Sequence, residues 1–121
     1  MKPQKAIKLI LQDQAKEAYE MLCKLVKEQK SKGRTNSEEM QLLKSINKKI
    51  EILKYNPAYG QSIAKEQIPK TLDVNNLFRV ELTHYWRMIY TIRTNEVEIV
   101  NFVLYIIDHP EYDQMFGYKK R

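Results

Sequence analysis

The stretch LFRVELTHYWRMIYTIR (Leu77–Arg93) alternates with a period of two on either side of a short break. Phe78, Val80 and Leu82 fall on one face, with Arg79, Glu81 and Thr83 on the other; after the break Trp86, Met88, Tyr90 and Ile92 stand against Arg87, Ile89, Thr91 and Arg93. With Thr83-His84-Tyr85 as the connection, Leu82 lies opposite Trp86 and Glu81 opposite Arg87, so the apolar faces of two antiparallel strands coincide. Thr94-Asn95-Glu96 makes the next turn. The run VEIVNFVLYII (Val97–Ile107) that follows is apolar on both faces, as expected of a central strand covered on one side by helices.

Upstream of the strands the period changes. Ala15, Ala18, Tyr19, Leu22, Leu25 and Val26 recur at three- and four-residue steps, and so do Met40, Leu43, Ile46, Ile50 and Leu53; each set forms one apolar helical stripe. Gly33 breaks the first helix, and Asn36 with Glu39 offers a capping box for the second. Pro57 and Gly60 end it. The short loop between the helices makes them an antiparallel pair. Lys5 to Leu11 reads either as the start of the first helix or as a strand, since Ile7, Leu9 and Leu11 alternate; strand is preferred, with Asp13 as the cap of the helix after it. Residues 60–76 show no sustained period and read as a connector over the sheet, with Lys65 and Lys70 as candidate anion contacts.

The fold expected is α+β: two antiparallel N-terminal helices packed on a small, mainly antiparallel sheet. It occupies one domain over residues 1–121, with the helical hairpin at about 13–55, the sheet at about 77–107 and a C-terminal tail at 108–121.

Composition narrows the function. The formal net charge of +6 favours polyanions or acidic proteins as partners. The single Cys23, set among apolar residues at helical spacing, reads as a small buried hydrophobe and points to a reducing compartment. No apolar run approaches the roughly 18–20 residues of a membrane span, and the N-terminus is too short and unpunctuated for a secretory signal, so the cytoplasm is the expected location and no membrane partner is expected. Two histidines and one cysteine cannot build a Cys/His metal cage, and three glycines leave no phosphate-cradling loop, so neither metal nor cofactor is expected.

What remains is the polar side of the sheet. Arg79 and Arg87 project there side by side, and the tail DHPEYDQMFGYKKR brings His109, Tyr112 and Tyr118. Cleaving RNA with side chains alone needs a base for the 2′-hydroxyl, a cation for the crowded phosphate and an acid for the leaving 5′-oxygen. His109 suits base or acid, the two arginines suit the phosphate, and a tyrosine suits stacking or proton relay. Bland readings stand beside these: Arg87 pairs with Glu81, His109 caps the strand end, and Tyr112, Phe116 and Tyr118 seal the core edge.

The segment from Leu77 to Tyr118 resembles the C-terminal half of the RelE/ParE superfamily of toxins, in which a Leu-Tyr-Arg-Leu-Arg strand, a turn, a Tyr-Arg-Val-Ile-Tyr strand and an apolar strand lead to a His/Arg motif closing on tyrosine. Gly60 also sits where the family often has a glycine, and the helix hairpin agrees in order and size. The resemblance implies a RelE-like toxin of a toxin-antitoxin module, a metal-independent, ribosome-dependent mRNA endonuclease with ribosome, mRNA and a small antitoxin protein as partners. It implies catalytic roles for Arg87, Arg79, His109 and Tyr112, with Lys65, Lys70, Arg93, Tyr118 and Lys119 as candidate RNA contacts. Glu81 stands where many members have a second arginine, and Asp108, Glu111 and Asp113 make the tail more acidic than in potent toxins. A non-enzymatic protein of the same fold, such as a topoisomerase-inhibiting toxin or an RNA- or protein-binding module, is the alternative.

Overall fold

A computed structural model describes residues 5–117 of the chain. Tyr118 and Lys119, candidates for RNA contact, lie outside the described residues. Strand β1 (Ala6–Leu11) leads into helices α1 (Asp13–Ser31) and α2 (Glu38–Tyr55). The two-residue strand β2 (Gln61–Ser62) follows, then β3 (Phe78–Glu81), β4 (Trp86–Thr94), β5 (Glu98–Asp108) and helix α3 (His109–Phe116). The sheet order is β1-β5-β4-β3-β2. Only the β1–β5 pair is parallel; the other three are antiparallel. The α+β architecture expected from the sequence is therefore the one observed, including β1 as a strand and β5 as an interior strand flanked by β1 and β4.

The hairpin register is the one its alternation dictates. Phe78 pairs with Tyr90, Val80 with Met88 and Glu81 with Arg87, and the Leu82 amide donates to the Trp86 carbonyl at 2.8 Å. Between β4 and β5 the pairing steps from Ile89↔Tyr105 to Tyr90↔Val103, leaving Leu104 as a bulge. The extra residue reverses the parity of β5, so Val103 and Ile106 both face the helices while Tyr105 and Ile107 face the opposite side. Past the end of β1, the Gln14 side chain replaces the missing strand: its Nε2 donates to the Ile106 carbonyl at 3.1 Å and its Oε1 accepts from the Ile106 amide at 2.9 Å. That end of β5 carries α3, so Gln14 helps fix where α3 begins.

Two cores result. On one face α1 and α2 bury Ala15, Leu42, Ile46 and Leu53 against Val80, Leu82, Met88, Tyr90, Val103 and Ile106. On the other, the connector and α3 bury Ile63, Leu77, Ile89, Ile107 and Tyr112. The helices meet through a polar knot in which Ser37 Oγ donates to Gln29 Oε1 and Gln29 Nε2 donates to Glu39 Oε1 at 2.6 Å.

Two local expectations need correction. The cap of α2 is Ser37, whose hydroxyl accepts from the Met40 amide at 3.1 Å; Asn36 instead accepts from the Gln41 side chain, because Ser37 is the residue within reach of the third amide of the helix. Asp13 does not cap α1 but is its first residue, at φ +43°, with Gln12 in the cap position. Within the C-terminal tail, residues 109–116 form a helix. Asp108 accepts from the Glu111 amide at 3.0 Å, Pro110 occupies the first turn, and Gly117 closes the helix at φ +74°.

Candidate functional site

The polar ends of β3 and β4 and the first turns of α3 converge at one edge of the second core. Arg79 and Arg87 leave the sheet on the same side, as their alternation requires, and α3 crosses above them. Tyr112, three residues into the helix from His109, points down into the core and is 1% exposed. Its hydroxyl accepts from Arg79 Nη1 at 2.8 Å, its ring stacks on Phe116 with centroids 4.4 Å apart, and the Arg87 guanidinium carbon lies 4.4 Å from its ring centre. One buried phenol ring thus serves as the floor for both guanidiniums.

Arg79 is held twice more, by Nε and Nη2 donating to Gln61 Oε1 at 3.0 and 2.9 Å. Gln61 comes from β2, a two-residue strand whose register partner is Arg79 itself. Arg87, whose side chain is 15% exposed, reaches outward to His109: Nη1 donates to Nδ1 at 2.8 Å. The opposite ring nitrogen, Nε2, faces Asp113 Oδ2 at 3.1 Å. Guanidinium nitrogens only donate and a carboxylate only accepts, so the two contacts together assign the neutral imidazole with its proton on Nε2. Glu81 lies opposite Arg87 with 4.0 Å between Nε and Oε1; at 69% exposure of its side chain it contributes little to holding the arginine.

Four residues singled out by sequence, Arg79, Arg87, His109 and Tyr112, are therefore brought together. Their placement separates two readings that the sequence left open. His109 is half exposed and available to a ligand. Tyr112 is a sealing residue of the core and, buried as it is, positions the arginines rather than offering a face to a base. The remaining candidates lie elsewhere. Arg93 is at the far end of β4, six residues or roughly 20 Å from Arg87, with its guanidinium 5.7 Å from the Phe102 ring centre. Lys65 and Lys70 are exposed on the connector and line a separate depression with Ile68, Pro69 and Leu72.

Two participants escaped the sequence reading. Asp113 was visible as an acid but not as a partner, although its i+4 spacing from His109 is the signal that pairs them once α3 is recognised as a helix. Gln61 left no pattern, because two residues cannot display a strand period. Among the described residues, a concavity of about 660 Å³ lies away from this cluster between α1, α2 and the β3–β4 hairpin, with Met21, Leu22, Leu25, Leu42 and Trp86 in its lining. It is largely apolar, with Lys24, Glu28, Glu38, Glu39 and His84 as its charged or titratable lining. Also among the described residues, no three His, Cys, Asp or Glu side chains are grouped to hold a metal ion, and no helix is long and apolar enough to cross a membrane.

The helix hairpin, the mixed sheet and the short C-terminal helix together form a fold shared with solved YoeB/ParE toxin structures. Among solved structures, the chain is similar to a YoeB/ParE toxin from Agrobacterium tumefaciens, with a TM-score of 0.57 at 14% identity over 84% of this chain and 98% of the other. It is also similar to a YoeB dimer from Staphylococcus aureus, with a TM-score of 0.52 at 15% identity over 86% and 98% of the two chains. No family model and no curated protein sequence matches it.

Proposed function

We propose that the protein is the toxin of a toxin-antitoxin module, an endoribonuclease that cuts ribosome-bound mRNA using side chains alone. The observation that carries this reading is the 2.8 Å contact between Arg87 and His109, with Asp113 behind the imidazole. It sets a phosphate-binding cation and a titratable ring side by side at the protein surface. In the proposed reaction a 2′-hydroxyl loses its proton and attacks the adjacent phosphorus, and the bond to the 5′-oxygen breaks. The products are a 2′,3′-cyclic phosphate and a 5′-hydroxyl, the leaving oxygen taking up a proton. Arg87 and Arg79 steady the extra negative charge, His109 moves a proton, and Tyr112 holds the guanidiniums in place. An antitoxin protein, the ribosome and mRNA are the proposed partners, and the cytoplasm the proposed location.

A second reading, a non-enzymatic toxin or binding module of the same fold, is favoured by one observation. His109 Nδ1 already accepts from Arg87, and Glu81 and Asp113 place two carboxylates beside the cations. Inducing the protein in cells without an antitoxin tests the choice. Growth arrest with transcripts cut within coding regions supports the nuclease; arrest with whole transcripts supports a non-enzymatic toxin; continued growth with folded protein and whole transcripts removes the nuclease and leaves a binding module.

A further inference from the structure

The turn between β3 and β4 is built from the wrong residues for its shape. The Trp86 amide donates to the Thr83 carbonyl, and the two residues between, His84 and Tyr85, both have positive φ, +58° and +63°. That is the backbone of a type I′ turn, whose central positions favour Asn-Gly because a Cβ is strained there. A bulky tyrosine in this conformation is an outlier. Its neighbours hold the turn from α2: His84 Nε2 lies 2.8 Å from Gln41 Oε1, and the Thr83 amide donates to Ser45 Oγ at 3.2 Å. For this strain the fold gains no burial, since Tyr85 is 81% exposed.

Tyr85 is not simply at large on the surface. Together with Glu81, Leu82, His84, Trp86 and Arg87 it lines a cleft of about 410 Å³, and Arg87 is the residue that reaches His109. Strain retained in a solvent-facing aromatic beside a phosphate-binding cation is the pattern of a functional constraint rather than a packing one. We infer that the β3–β4 turn is a nucleobase subsite in which Tyr85 stacks on a base of single-stranded RNA whose phosphate lies at Arg87. This rests on the nucleic-acid reading of the Arg87–His109 cluster and extends it to a specific face of the molecule. Every base offers a π-face, so the subsite contributes affinity without sequence choice.

The test uses the full chain and a short fluorescent single-stranded RNA with 2′-O-methyl riboses, which cannot be cut by this chemistry. Affinity and thermal midpoint are measured for the wild type, Tyr85→Phe, Tyr85→Ala and the double variant His84→Asn/Tyr85→Gly. Tyr85→Phe should bind as the wild type does, and Tyr85→Ala about five- to a hundredfold more weakly. The double variant supplies the residues that the turn favours, so its midpoint should rise while its affinity falls with that of Tyr85→Ala. Wild-type affinity in Tyr85→Ala, or in the double variant, overturns the subsite while leaving the nuclease reading intact. A folded wild type that does not bind the RNA overturns the subsite, whereas the nuclease reading stands or falls with cleavage on ribosomes. Unchanged RNA affinity with weakened capture of an inhibitory protein partner would assign Tyr85 to a protein interface and likewise overturn the proposal.

Discussion

His109 Nε2 lies 3.1 Å from Asp113 Oδ2, one helical turn further along α3, while its Nδ1 accepts from Arg87. The ring is thereby fixed in both tautomer and direction. Asp113→Ala, which frees the imidazole to rotate, should lower mRNA cleavage by about ten- to a hundredfold. Asp113→Asn keeps an acceptor for the Nε2 proton and should restore most of that loss. Turnover measured beside circular dichroism separates positioning from folding, because both variants should retain the wild-type spectrum; equal activity in all three proteins would mean that Asp113 positions nothing.

The Tyr112 hydroxyl and ring have separate duties. Tyr112→Phe keeps the stack on Phe116 but removes the acceptor for Arg79, and should cost about 1 kcal/mol. Tyr112→Ala empties the centre of the second core and should cost about 3–5 kcal/mol. Chemical denaturation of the two variants checks the ratio. Similar losses would mean that the ring does not seal the core.

Gly60 is required for space rather than for backbone freedom. A Cβ placed on it would come within 2.7 Å of the Tyr90 hydroxyl and 2.9 Å of the Arg79 carbonyl oxygen. Gly60→Ala should therefore destabilise the protein by about 1–3 kcal/mol. Because the crowding falls on the backbone of Arg79, cleavage by the folded fraction should drop as well. A thermal midpoint equal to that of the wild type would show that the connector yields freely.

Burial pushes the Tyr90 phenol above its ordinary value, while the Gly60 amide donated to its oxygen pulls the other way without cancelling the rise. The folded state therefore holds this proton more tightly than the unfolded chain. Its contribution to stability is complete below the ordinary tyrosine value, about pH 10, and is lost as pH rises beyond it. Tyr90→Phe should lower stability at neutral pH by about 1 kcal/mol through the lost hydrogen bond to the Pro57 carbonyl. It should also lose less on going to alkaline pH than the wild type. Denaturation curves at pH 8 and above pH 10 compare the two slopes; a steeper alkaline loss in the variant would contradict the burial effect.

The strands were legible because their faces differ: Phe78, Val80 and Leu82 against Arg79 and Glu81 leave one workable register, and the helices repeat at three and four residues with equal clarity. What failed was local chemistry where two neighbours compete for one task. Asn36 and Ser37 both suit a cap, and only the reach to the Met40 amide decides between them. Helix α3 carried its signals openly, with Asp108 before Pro110 and Gly117 at the end, but eight residues with only Tyr112, Met115 and Phe116 on the core side are too few to display a repeating apolar stripe. Missing the helix hid the pairing of His109 with Asp113. The bulge at Leu104 left no mark either, because a strand that is apolar on both faces shows no change when its parity flips. Arg79, Arg87, His109 and Tyr112 could be named from sequence, whereas Gln61 depended on a strand too short to read.

The most direct test of the proposed function is cleavage of a defined mRNA on purified ribosomes by the wild type, Arg87→Ala and His109→Ala, each confirmed as folded. His109→Ala should cut about 10²- to 10⁴-fold more slowly, as expected for loss of a general acid or base. Arg87→Ala should be slower by about 10²- to 10³-fold, and the wild-type fragments should begin with a 5′-hydroxyl. Intact mRNA with the wild type, or equal cleavage by all three proteins, would contradict a nuclease site at Arg87 and His109.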